Sequence, residues 1–123
     1  MILLTGAGGR TGKALLRALV ARGADVRAFI RNPEQADGLL ALGAAEVAVG
    51  DMTDADSINR AVAGADVVLH VGPPMHPQEL EITQTVVDAT KAHGASRFIY
   101  YSVMYPILRD VRHHSLKLDA TEM

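Results

Sequence analysis

The sequence predicts a three-layer α/β domain: a doubly wound parallel sheet with helices on both faces. Three observations predict it. Short apolar runs alternate with segments of helical period along the 123 residues. Four of the helical segments end in nearly the same phrase: Gly23-Ala24-Asp25-Val26, Gly43-Ala44-Ala45-Glu46-Val47, Gly64-Ala65-Asp66-Val67 and Gly94-Ala95-Ser96-Arg97-Phe98. Each Gly stands where a helix end favours positive φ, and each phrase runs through a polar residue into an apolar strand. Finally, apolar residues make up 49% of the chain while aromatics are few, which suits short Val/Leu/Ile strands buried under helices.

Taken in order, residues 2–5 form the first strand. Residues 10–21 form a helix, with Ala14, Leu15, Ala18 and Leu19 on one stripe. Residues 25–30 form the second strand. Asn32 followed by Pro33 is an N-cap with Pro at the first helical position, opening a helix to about residue 42. Residues 46–49 form the third strand, and Thr53 or Asp54 caps a helix to about residue 63. Residues 66–71 form the fourth strand, 77–93 a longer helix and 97–102 the fifth strand; 113–123 has the character of a further helix. A βα unit repeated about every 20–30 residues implies right-handed crossovers and a parallel sheet, most naturally in the order 3-2-1-4-5. A fold of this winding ordinarily has a sixth strand. The chain therefore reads as a single domain, the nucleotide half of the fold, stopping before strand six and before a substrate-binding part.

The turn after the first strand reads Thr5-Gly6-Ala7-Gly8-Gly9-Arg10-Thr11-Gly12-Lys13. Gly6 lets the chain leave the strand sharply, Gly9 removes a side chain where backbone must meet a pyrophosphate, and Gly12 lets the helix pack against the sheet. With Gly8, Arg10 and Thr11 they surround a helix N-terminus whose free N–H groups and partial positive charge suit phosphate. The Gly-x-x-Gly-x-x-Gly spacing lacks the Gly-Lys-Ser/Thr ending of a P-loop nucleotidase. The expected fold is thus a Rossmann domain and the expected ligand a dinucleotide.

Which dinucleotide depends on the end of strand two. NAD-binding domains commonly place a carboxylate there for the ribose hydroxyls. Here the strand ends Phe29-Ile30-Arg31-Asn32. A bidentate contact between Arg31 and a 2′-phosphate is worth roughly 1.5–3 kcal/mol, about ten- to a hundred-fold, which favours NADP(H) over NAD(H). Arg31 as a solvated helix-flanking charge is the plainer alternative. Asp51 and Met52, after strand three, border the adenine position in this fold, Asp51 accepting from the exocyclic amine and Met52 packing on the ring; alternatively Asp51 and Thr53 only cap the next helix. Gly72, at the end of strand four, lies at the switch-point crevice. His70 just before it is a candidate acid or base, or a residue packed along the strand. Ser102, ending strand five, is placed to hydrogen-bond a substrate or a nicotinamide.

These features carry a resemblance. Residues 5–12, Arg31-Asn32-Pro33, Gly50-Asp51, Tyr101-Ser102-Val103 and the stretch from His113 to Lys117 resemble the NmrA-like branch of the atypical short-chain dehydrogenase/reductases. The resemblance covers essentially the whole chain but only the N-terminal half of a typical member. It implies a Rossmann fold with NADP(H) preference. Members include quinone- and isoflavone-type reductases, and redox-sensing regulators that bind the cofactor without turning it over. Catalytic short-chain enzymes carry Tyr-x-x-x-Lys on the helix after strand five, the Lys holding the ribose and the Tyr donating a proton. Here Lys117 is present, but His113 stands four residues before it. His113 shares a helical face with Lys117 and titrates near neutrality, so it or the loop residue Tyr105 is the candidate proton donor. The expected activity is hydride transfer from NADPH to a small carbonyl or quinone-like acceptor, with Ser102 orienting the acceptor. The alternative is a non-catalytic NADP(H) sensor.

Composition narrows the rest. A net charge of −2 leaves no basic surplus for nucleic acid, and without cysteine there is no disulfide, thiolate nucleophile or thiolate-bound metal. No apolar run approaches the ~18–20 residues that span a bilayer. A first strand at Ile2 leaves no room for a signal peptide, so a cytoplasmic location is expected. Apolar surface on a clipped α/β domain suits a homodimer.

Overall fold

The computed structural model describes residues 1–73, 76–101 and 120. Five parallel strands, β1 (Ile2–Leu4), β2 (Val26–Ile30), β3 (Glu46–Val49), β4 (Val67–His70) and β5 (Arg97–Tyr100), lie in the order β3-β2-β1-β4-β5. Between them run α1 (Arg10–Ala21), α2 (Ala36–Ala41), α3 (Ala55–Val62) and α4 (Glu79–Ala92). The chain moves outward from β1 to β3, crosses back over the sheet, and moves outward again through β4 to β5. That reversal puts the carboxyl ends of β1 and β4 side by side at the switch point.

Strand side chains alternate between two cores because both faces of the sheet are covered. Leu3, Phe29 and Val68 point to one face, where they meet Ile58, Ala61 and Val62 of α3 and Ile82, Val86 and Ala89 of α4. Leu4, Ala28, Ile30 and Leu69 point to the other, against Leu16 of α1 and Leu39 of α2. The central strand β1 therefore reads as an unbroken apolar run, Ile2-Leu3-Leu4.

The four glycines of the repeated phrase all stop helices at positive φ: Gly23 at 82°, Gly43 at 107°, Gly64 at 79° and Gly94 at 70°. After α1, α2 and α4 the ending is a Schellman motif. After α1, for example, Gly23 N–H donates to Val20 O and Ala24 N–H to Leu19 O. The end of α3 is finished differently. Arg27 reaches over from β2, and its Nη1 donates to Ala61 O and Ala63 O at 2.5 and 2.8 Å. Its Nε donates to Glu46 Oε1 on the neighbouring strand at 2.6 Å.

Several boundaries differ by a few residues from the sequence expectation, and three of them have a local reason. The segment after Asn32 is a 3₁₀ turn (Pro33–Gln35) before α2 begins, because Asn32 both caps Glu34 N–H with its side chain and accepts Gln35 N–H at its carbonyl. Strand β4 ends at His70 rather than residue 71, since Val71 N–H donates to the Thr5 hydroxyl instead of the ladder. Helix α4 starts at Glu79 rather than Pro77, because His76 takes Gln78 N–H on its ring and Glu79 N–H on its carbonyl. The helix expected over 113–123 falls, apart from Ala120, outside the described residues. Among those described, no helix is long and apolar enough to cross a membrane, and no group of three or more His, Asp or Glu is placed to hold a metal ion.

Candidate nucleotide site

A cleft of about 770 Å³ opens at the carboxyl ends of the strands. Gly6, Gly8 and Gly9 form its floor, and Ile30, Arg31 and Gln35 follow from the end of β2. Gly50, Asp51, Met52 and Thr53 follow β3, and Pro73 and His76 overhang from the β4–α4 segment. That volume falls in the roughly 300–1,000 Å³ range of small-molecule sites.

The floor is shaped by what its glycines lack. Gly6 turns off β1 in the left-handed region, at φ 62°, and a Cβ there would lie 2.6 Å from Val71 O. A Cβ on Gly12 would fall on the Gly6 carbonyl oxygen and 2.7 Å from Ala7 Cα, so only glycine lets α1 sit this close to the turn. Gly9 is different in kind. Its backbone is extended (φ −82°, ψ 175°), a conformation open to any residue, and the nearest atom to an added Cβ is 3.7 Å away. Glycine at this position is thus not required by the fold. It leaves the loop surface bare at the N-cap of α1, which has no side-chain cap and no acidic residue in its first turn. A helix end of that kind offers N–H groups and positive dipole to an anion. The residues present therefore fit a pyrophosphate.

Arg31 is exposed at the β2 end of the cleft, and Asp51 stands across it after β3. Asp51 Oδ1 accepts the Thr53 backbone N–H at 2.8 Å and the Thr53 hydroxyl at 2.7 Å. Those bonds, together with the positive charges of Arg31 and His76, hold its carboxyl below the usual range. Asp51 does not cap the following helix; Asp54 does, accepting Asp56 N–H. Met52 is half-buried and packs against the α3–α4 core while lining the cleft.

The other expected site residues fall in three groups. Arg10 is exposed at the first position of α1, Thr11 is half-buried beside it, and both flank the cleft rather than line it. Gly12 and Gly72 are buried, Gly12 beneath the loop and Gly72 just past β4. Ser102, Tyr105, His113 and Lys117 lie outside the described residues. His70 is fully buried and takes the packing alternative, away from the cleft lining. Sequence reasoning missed Gln35, whose Nε2 donates to Gly8 O at 3.3 Å from 27 residues away. It also missed Thr53 as a cleft residue, and Pro73 and His76, for which the Gly72-Pro73-Pro74 sequence after β4 was the available signal.

Residues 6–120 match the family model for NAD(P)H-binding domains. The chain belongs to this NAD(P)H-binding family. A 2-alkyl-3-oxoalkanoate reductase of Stenotrophomonas maltophilia is 38% identical over 112 residues, 82% of this chain and 32% of that protein. The NADPH-dependent quinone oxidoreductase of Escherichia coli, solved with NADPH, matches with a TM-score of 0.87 at 25% identity, over 100% of this chain and 44% of its own. The triphenylmethane reductase of Citrobacter sp., solved with NADP(H), matches at 0.85 and 25%, over 98% of this chain and 44% of its own. The NAD(P)H-binding chain thus spans about a third of that curated relative and under half of the solved neighbours. Those structures share its Rossmann sheet.

Proposed function

We propose that this chain is the nucleotide-holding part of an NADP(H)-dependent reductase whose acceptor is a small carbonyl or quinone-like molecule. The N–H groups at the start of α1, with Gly6, Gly8, Gly9, Arg10, Thr11 and Gly12 shaping the approach, take the pyrophosphate. Arg31 takes the 2′-phosphate, Asp51 accepts from the adenine amine, and Met52 packs on the adenine ring. Gly72 leaves room on the nicotinamide side. When bound, NADPH supplies the hydride. Ser102 orients the acceptor, Lys117 holds the nicotinamide ribose, and His113 or Tyr105 supplies the proton to the reduced oxygen.

One observation carries the NADP(H) preference: the residue that lines the cleft directly after β2 is an arginine, where a ribose-binding carboxylate would repel phosphate. A fluorescence titration with NADPH and NADH tests it. NADPH binds about ten- to a hundred-fold more tightly, and Arg31→Ala removes most of that difference. Equal dissociation constants in the unmodified chain refute the preference. A second reading is favoured by His113 standing where catalytic relatives carry Tyr: a sensor that binds NADP(H) without turnover. NADPH oxidation over a panel of quinones and aldehydes separates the two.

A further inference from the structure

Just below the cleft floor lies a buried polar cluster. Thr5 is 3% exposed, His70 0% and Thr83 2%. Apolar residues would fill these positions at lower desolvation cost, since a buried polar group is costly unless it is hydrogen-bonded. The Thr5 hydroxyl meets His70 Nδ1 at 2.8 Å, Val71 N at 2.9 Å and Val71 O at 3.2 Å. A hydroxyl carries one proton and two lone pairs, so these three neighbours use its capacity, with Val71 N–H donating to it. On the far side, His70 Nε2 meets the Thr83 hydroxyl of α4 at 3.3 Å. The ring is further held by Tyr100, stacked at 6.0 Å, and by Phe98 at 6.2 Å.

The bonds lead to the loop. Thr5 is the last residue before Gly6. It ties the end of β1 to Val71, the first residue past β4, and Gly6 rests on Val71 closely enough that a Cβ would lie 2.6 Å from its carbonyl oxygen. Turning the Thr5 side chain about its Cα–Cβ bond would take its oxygen away from Val71 N–H. We infer that His70 is a positioning residue: through its Nδ1 contact it fixes the Thr5 hydroxyl, which sets Val71 and thereby the glycine floor of the cleft. His70 itself touches no ligand in this role, which rests on the dinucleotide reading of the same floor.

Amide side chains separate positioning from mere packing. The amide of Asn falls near the Nδ1 position of histidine, and that of Gln near Nε2. His70→Asn therefore keeps a polar partner for Thr5, and His70→Gln keeps one for Thr83 instead. The expected result is that His70→Gln and Thr5→Val each weaken NADPH binding about tenfold, the worth of one buried hydrogen bond, and speed amide hydrogen exchange at residues 6–9 by a similar factor. His70→Asn, Thr83→Val and Thr5→Ser stay within about twofold of the unmodified chain in both, although Asn is the smaller residue and costs more thermal stability. A packing role predicts the opposite order, with binding loss following stability loss. The inference is overturned if His70→Asn weakens binding as much as His70→Gln, or if Thr83→Val loosens residues 6–9 as much as Thr5→Val. Should the unmodified chain bind neither NADPH nor NADH, the dinucleotide reading fails on its own, and hydrogen exchange at residues 6–9 still decides the role of His70.

Discussion

Alanine at Gly9 and alanine at Gly12 should separate the two uses of glycine in this loop. At Gly12 the added methyl meets backbone, the Gly6 carbonyl and Ala7 Cα at 2.7 Å, and neither is the flexible end of a side chain. Relief requires α1 to lift from the turn, so the cost is that of an overpacked core, about 1–3 kcal/mol. For a chain of this size that lowers Tm by roughly 3–15 °C. At Gly9 the nearest atom is 3.7 Å from the added Cβ and the backbone is already extended. Alanine loses a little at the N-cap and recovers a similar amount by restricting the unfolded chain, so stability changes by less than about 0.5 kcal/mol. Binding behaves in reverse. The Gly9 methyl stands where the pyrophosphate must approach backbone, and NADPH affinity falls at least about tenfold, or 1.4 kcal/mol. Thermal unfolding by circular dichroism and NADPH fluorescence titration, run on both variants, read the two effects independently. Gly9→Ala binding NADPH as tightly as the unmodified chain would refute the phosphate role of the loop. Gly12→Ala melting at the unmodified temperature would refute the packing argument.

Two further outcomes follow from contacts away from the cleft. Arg27→Ala strips two carbonyls at the end of α3 of their donor and leaves Glu46 without its guanidinium, so unfolding free energy in urea should fall by about 1–3 kcal/mol; a loss below about 0.5 kcal/mol would show that water replaces the arginine. Burial, then the charge of Glu79 and its hydrogen bond, push the Tyr100 phenol well above its ordinary value. The folded chain therefore keeps that proton at a pH where the unfolded chain has lost it. Its contribution to stability is full below about pH 10 and declines as pH rises further. In Tyr100→Phe the fall in Tm between pH 8 and pH 11 should be shallower, and an unchanged slope would sink the assignment.

Much of this was legible from short-range signals. A helix stop that needs positive φ favours Gly, so the Gly-Ala phrases marked where α1, α2, α3 and α4 end. The glycine loop announced itself because backbone geometry at residues 6 and 12 tolerates nothing larger. Arg31 could be placed because it follows a strand whose register is set by apolar residues on both faces. What stayed hidden depends on approach between distant segments. No local pattern reveals that Gln35 reaches Gly8, or that Val71 N–H abandons the ladder for Thr5, 66 residues earlier. His76 lines the cleft where its ring and its carbonyl turn the chain into α4.

The two-faced sheet has a consequence for how substitutions combine. Leu3 and Leu4 are consecutive, yet each belongs to a different cluster, one against α3 and α4 and the other against α1 and α2. Sharing no partners, truncations at these neighbouring positions should add in free energy nearly as if they were in remote parts of the molecule. Leu3 and Ile82, far apart in sequence, sit in one cluster and should not add. Energetic distance in this domain is measured through the sheet, and the order of residues along the chain is a poor guide to it.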